Sequence, residues 1–308
     1  MKTPSLSRAS LSRRSFLTIS AGLSGAITAQ VSANASAAEP ATPEPLKKHR
    51  IGLELYSVRG ELARDLPNTL KTVASFGYEV VEFYSPYFKW TPAYTKDVRA
   101  QMDDLGLRCY STHNGFESFT PGENFAHTIE LNQILGARYV VLASAPGRTS
   151  GVDGWKNLCE RLTSSVEQLK PHGLSAGYHN HQAEWARLEG GQRIIEVIAA
   201  NTPKEFVLQL DVGTCEEAGA DPVAWVKANP GRIKTMHLKD WAPGEHEKEK
   251  GYRVLFGEGV TPWKELLAEA ESVGGIEYFL IEQEGSRFSE FETAKKCLEN
   301  WKAMFGKA

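Results

Sequence analysis

The sequence predicts an α/β fold, a single-domain (β/α)8 barrel over residues 51–308. Three observations carry this. Short β-branched or aromatic runs alternate with longer amphipathic runs about eight times in roughly 250 residues, the count and size of such a barrel. Gly77, Gly106, Gly136 and Gly173 each fall between a helical pattern and the next strand, where C-terminal caps belong. Four strands of the second half end in side chains that can bind a metal. The nearest competitor, an open doubly wound sheet, would more often carry a Gly-rich turn after its first strand, and IGLELYSVRG has none.

The elements follow in order. Strands are predicted at 51–56, 79–84, 107–112, 138–143, 174–179, 206–211, 232–238 and 276–282 from their alternation and β-branched content. Helices are predicted at 66–76, 92–105, 123–135, 153–170, 190–200, 221–228, 262–273 and 287–303. Asp65 before Leu66-Pro67, and Asp221 before Pro222, are start signals. The longest loop, 239–261, carries a charged EHEKEK stretch that reads as a solvated tip.

Residues 1–38 stand outside the fold. Lys2, Arg8, Arg13 and Arg14 form a basic region, 16–29 are apolar and small, and Ala35-Ser36-Ala37 suits cleavage, with Ala33-Asn34-Ala35 second. Ser12-Arg13-Arg14-Ser15-Phe16-Leu17 resembles the twin-arginine export motif. The expectation is therefore a periplasmic or secreted protein, handled by the twin-arginine machinery and without a permanent membrane anchor. Residues 39–50 read as a Pro-rich linker. Removing 1–37 takes away four basic and no acidic side chains, so the formal charge moves from −3 to −7. That balance argues against nucleic acid. Cys109, Cys159, Cys215 and Cys297 have no CxxC spacing and are expected as buried thiols, Cys109 within a strand.

The chemistry is expected at strand ends. Tyr178-His179-Asn180-His181, LQLD ending at Asp211, TMHLKD carrying His237 and FLIEQE carrying Glu282 lie about one strand–helix unit apart. In a parallel barrel such ends meet around the C-terminal mouth. With alternate residues sharing a face, His179, Asp211, His237 and Glu282 form a ligand set for one divalent ion: manganese, magnesium, cobalt or zinc. Glu54, Glu82 and His113 are read as substrate-binding groups, and the same three leave a second metal open. Glu282 or His181 is expected as the base, with Glu184 as another acid/base group and Lys239 steadying an oxyanion. Trp185 and Trp241 are expected to stack on a sugar ring, and Arg287 to hold a substrate anion. Tyr56, Phe83, Tyr84 and Phe116 are weaker stacking candidates.

Several of these stretches together resemble the xylose isomerase-like barrel family: IGLELYSVR, VVEFYSP, YHNH, LDVG, MHLKD, GEG at 257–259 and IEQE. The resemblance covers 51 to about 303. It implies one divalent ion held by Glu, Asp, His and Glu at successive strand ends. Asp211, His237 and Glu282 match the last three places, and His179 stands where the family has its first Glu. It also implies a metal-dependent sugar isomerase or epimerase that abstracts a proton next to a polarised carbonyl. The alternative is a lyase or dehydratase of a keto-sugar or 3-keto-glycoside, the branch that a YHxH-type stretch resembles. A metal-dependent endonuclease-like hydrolase and a non-catalytic sugar-binding barrel rank lower. The expected partner is a small carbohydrate, free rather than phosphorylated given export, and a homo-oligomer is left open.

Overall fold

The computed structural model describes residues 49–244 and 251–306. The predicted export signal, nearly all of the linker and the EHEKEK tip lie outside the described residues. Among the described residues, no helix is long and apolar enough to cross a membrane. Eight parallel strands run β1 (Arg50–Glu54), β2 (Val80–Glu82), β3 (Ser111–Asn114), β4 (Tyr139–Leu142), β5 (Ser175–His179), β6 (Val207–Asp211), β7 (Thr235–Leu238) and β8 (Tyr278–Ile281). Their order is β2-β1-β8-β7-β6-β5-β4-β3. Between β2 and β3 the ring is drawn together by single bridges, Val80 to Arg108 and Phe83 to Thr112. The result is a nearly closed barrel wrapped in helices, as the alternation predicted.

Strand alternation sorts the side chains. Most of the apolar core lies between the strands and the surrounding helices, with Leu53, Val81, Phe83, Leu210 and Ile281 among its members. A second, small cluster of Val80, Tyr278 and Leu280, with Tyr110 and Tyr139 against it, fills the barrel's own interior. Gly52 belongs to that interior, because a Cβ there would stand 2.7 Å from Leu280 Cδ2 and from the Val80 carbonyl. Two residues further along β1, β2 and β8 come Glu54, Glu82 and Glu282. Period-two geometry thus stacks a polar layer directly above the apolar plug.

Boundaries differ from expectation in places. The third strand begins at Ser111, not 107, because its partner β4 begins at Tyr139, opposite Ser111. Residues 107–110 make only isolated contacts, so Cys109 lies before the strand. The helix expected from 190 starts at Ile194, since Gly190 and Gly191 adopt φ of 96° and 88° in a turn. The seventh strand begins at Thr235, not 232. Short helices at Arg59–Arg64 and Val212–Glu217 had no periodicity long enough to announce them. All four cysteines are buried free thiols.

Candidate metal centre

Asp211 ends β6 and opens the short helix after it. Its Oδ1 accepts the Thr214 amide at 2.9 Å, a helix-capping bond that turns Oδ2 the other way. Asn180, on the outward face of the β5 end, accepts from the Asp211 amide at 3.1 Å and donates to Thr214 Oγ1 at 3.0 Å. These bonds hold the β5 and β6 ends together, with His179 and Asp211 on the inner side.

Inside the mouth, His179, Asp211, His237 and Glu282 are all buried, and each offers a ligand atom within 4.8 Å of the others. His179 Nε2 stands 3.6 Å from Asp211 Oδ2. His237 lies between two carboxylates, with Nδ1 2.8 Å from Glu282 Oε2 and Nε2 2.8 Å from Glu82 Oε1. Glu82 also accepts from Ser111 Oγ and from Gln209 Nε2 at 3.0 Å. Gln209 Oε1 faces His113 Nε2 at 2.6 Å and His179 Nδ1 at 3.1 Å. Lys239 contacts Glu284 closely, with Asp211 Oδ2 at 3.4 Å and Glu282 Oε2 at 3.9 Å.

The charges follow from these neighbours. Burial opposes a charged His237, but Glu282 and Glu82 on its two nitrogens hold its pKa well above the ordinary imidazole value. Burial likewise opposes the Glu82 carboxylate, yet His113 and His237 pull it down to about 2. Glu282 is also held below the usual carboxylate range, by Lys239 and His237 against the cost of burial. Glu54 goes the other way: burial, and then the Glu82 carboxylate, raise it strongly and keep it neutral. Burial, and then the charged His237 beside it, push His179 well below its ordinary value, so its ring is neutral.

The donor set fits a divalent cation. Asp211 Oδ2 is buried and takes no hydrogen bond; the Lys239 ammonium 3.4 Å away offsets its charge in part and leaves the oxygen able to meet a cation directly. Ligands about 2.0–2.2 Å from one ion stand roughly 3–4 Å apart, near the spacing already present. A mixed imidazole–carboxylate set suits zinc, manganese, cobalt or magnesium chemistry. Glu54, Glu82 and His113 also lie within 4.8 Å of one another, but both Glu82 oxygens already have partners.

A cavity of about 900 Å³ opens above this layer, lined by Glu54, His113, His179, His181, Lys239 and Glu282 among others. Asp211, His237 and Glu82 lie behind that lining. Glu184, Trp185, Trp241 and Arg287, named from sequence, do not line it either, nor do Phe83 and Phe116. Glu184 is buried, accepting from the Tyr178 hydroxyl at 2.7 Å and the His181 amide at 2.8 Å. Trp185 packs edge-on to Trp225 at 5.3 Å, and Trp241 packs over Gly251. Arg287 makes a two-bond pair with Glu258 at 2.8 and 2.6 Å. Conversely, Arg59 and Tyr252 line the cavity without a sequence prediction. Arg59 donates to the carbonyls of Tyr56 at 3.0 Å and Glu284 at 3.2 Å, and lies 4.5 Å over the Tyr56 ring. Its nearness to the first strand end in SVRG was the available signal. Tyr252 sits in an irregular loop and had none.

The description "xylose isomerase-like TIM barrel" matches residues 70–304. The chain belongs to that family. Among family relatives, an inosose dehydratase of Mesomycoplasma hyopneumoniae is 22% identical over 82% of this chain and 92% of its own length. A crystal structure of a sugar phosphate isomerase/epimerase from Parabacteroides distasonis is 27% identical, with a TM-score of 0.70 over 87% of this chain and all of that one. The structure of the IOLI protein with a bound zinc atom shares the fold at 14% identity and a TM-score of 0.64, over 83% of this chain and 98% of that one.

Proposed function

We propose that this chain is a divalent-metal-dependent lyase acting on a keto-sugar, removing the proton beside the carbonyl and expelling a β-hydroxyl as water. The observation that carries this reading is the asymmetry of the ligand set. Of the four candidate ligands, only His179 and Glu282 line the cavity, and Glu282 is the sole carboxylate of the two. Epimerisation through two exchanging carboxylates needs a second one at the β5 end, where His179 stands. Elimination needs one base and one acid.

His179, Asp211, His237 and Glu282 would hold the ion. When bound, such a cation polarises the carbonyl and an adjacent hydroxyl and lowers the cost of the enediolate. Glu282 Oε2 is taken by His237, and Oε1 has no hydrogen-bond partner among the described residues, so Oε1 is the proton acceptor. The electron pair left on the α-carbon forms the new double bond as the β C–O bond breaks. One His181 ring nitrogen accepts the Glu184 amide. A ring that accepts there carries its hydrogen on the other nitrogen and donates a hydrogen bond to the departing hydroxyl, while the proton that Glu282 took from the α-carbon leaves with that hydroxyl as water. Glu184 fixes that geometry through its own bonds. Lys239, tied to Glu284, places positive charge beside the developing oxyanion. Neutral Glu54 can donate to a sugar oxygen, and Tyr56 and Tyr84, 5.2 Å apart edge to face, form an aromatic rim.

The isomerase or epimerase reading keeps support from the Parabacteroides relative. Product mass separates the two: incubation with free keto-sugars and keto-glycosides gives a product lighter by one water. A product of unchanged mass carrying solvent deuterium would select isomerisation instead.

Metal binding near neutral pH releases about one proton, because His237 is protonated in the metal-free chain and must be neutral to ligate. Affinity therefore rises with pH. Calorimetry in buffers of different ionisation enthalpy measures the release, and binding without proton release contradicts the role given to His237.

We also propose twin-arginine export on the strength of the sequence alone. R13K/R14K is expected to retain the precursor in the cytoplasm, and undiminished secretion of that variant would sink this reading.

A further inference from the structure

Gln209 lies on the inner face of β6, two residues before Asp211, and is almost fully buried. Its amide orientation is dictated by Glu82. A carboxylate can only accept, so the nitrogen 3.0 Å from Glu82 Oε2 must be the amide nitrogen and the donor. The amide oxygen is then the atom facing both His113 Nε2 at 2.6 Å and His179 Nδ1 at 3.1 Å. An amide oxygen can only accept in turn, so both of those ring nitrogens carry hydrogens. Glu82 Oε1, 3.1 Å from His113 Nε2, demands the same of His113.

We propose that Gln209 is a positioning residue that sets the tautomers of His179 and His113. A neutral imidazole has one N–H. With Nδ1 of His179 protonated, its lone pair is on Nε2, the atom that faces Asp211 Oδ2, which takes no hydrogen bond and has the Lys239 ammonium 3.4 Å away. With Nε2 of His113 protonated, its lone pair is on Nδ1, which has no hydrogen-bond partner among the described residues, in a side chain that lines the cavity. One buried amide thus presents one lone pair to the ion and a second to substrate. A ligating His commonly gives its other N–H to an outer acceptor that fixes ring and tautomer. Here a neutral amide serves two imidazoles at once, beside a His at the β5 end. The consequence for metal rests on the function proposed above; the tautomers do not.

The experiment has two arms. In metal-free wild-type protein labelled with 15N-histidine, long-range proton–nitrogen correlation is expected to show His179 protonated on Nδ1 and His113 on Nε2. The opposite tautomer at His179 overturns the proposal, whatever the metal does. In the second arm, cobalt affinity is measured by calorimetry on wild type, Q209L and Q209E, with melting curves to confirm folding. Q209L is expected to bind cobalt about ten- to a hundredfold more weakly and to lose the ordered His179 pattern. Q209E, protonated on the oxygen that meets Glu82 Oε2, keeps both that donor and an acceptor for the two rings, and is expected to keep that pattern. Q209L with unchanged affinity and unchanged nitrogen shifts overturns the assignment. Absence of cobalt binding by the wild type itself would overturn the metal reading, while the first arm still decides the tautomers. Should Q209L fail to fold, the wild-type correlation also decides.

Discussion

Glu282→Gln is expected to lower turnover by about a hundred- to ten-thousandfold and to weaken metal retention while leaving the barrel folded. The substitution keeps the shape of the side chain, and its amide oxygen can still meet His237 Nδ1, now 2.8 Å from Glu282 Oε2. It removes the negative charge proposed to ligate and the oxygen proposed to accept the α-proton. An amide is not a base in this pH range, so the chemical step suffers more than substrate binding, and kcat falls with little change in KM. Steady-state kinetics with added metal, alongside circular dichroism, checks this. Turnover within tenfold of wild type would remove Glu282 from the role of base.

The second large effect is on stability. His237→Leu in the metal-free protein is expected to cost about 3–5 kcal/mol at pH 7, the usual penalty for breaking a buried ion pair by deleting one partner. His237 is fully buried between Glu82 and Glu282, and its removal takes the bridging cation from two carboxylates, of which Glu82 is fully buried and Glu282 meets the cavity. Both carboxylates are held below their ordinary value of 4.5 in the fold. Their stabilising contribution is therefore complete above that value and is lost as pH falls, for Glu82 toward about 2. His237 behaves oppositely: its raised pKa stabilises fully below 6.5 and fades only as pH climbs through a much higher folded value. The difference between wild type and H237L should therefore be widest from about pH 5 to 7 and shrink on acidification. Urea unfolding at several pH values measures it. A cost below about 1 kcal/mol at pH 7, where exposed pairs fall, would mean that the imidazole does not balance these acids.

Several of the site's features are local, and local features can be read in one dimension. YHNH, LQLD, MHL and FLIE place a ligand-type residue at the end of a β-rich run, and period two tells which neighbours share its face. That reasoning names His179, Asp211, His237 and Glu282, which the structure brings side by side. It fails where a side chain's role depends on what lies across the barrel. Trp185 and Glu184 follow His181 in sequence, yet a tight turn after β5 carries them into the wall rather than over the cavity. Arg287 looked free until folding set it beside Glu258. Gln209 has no legible role in one dimension, because an amide between two imidazoles and a carboxylate exists only once β2, β3, β5 and β6 are in register.

By itself, then, the order of residues determined the barrel, its strand count and the ring of ligand-type groups at its mouth, since alternation, capping glycines and strand-end chemistry all act within a few residues. Only the closed tertiary structure decided the protonation pattern beneath that ring: a neutral Glu54, an ionised Glu82, a charged His237 and a neutral His179. Those states depend on which groups from distant strands share one desolvated interior, and Coulomb interactions between buried groups depend on distance in space, not on separation along the chain.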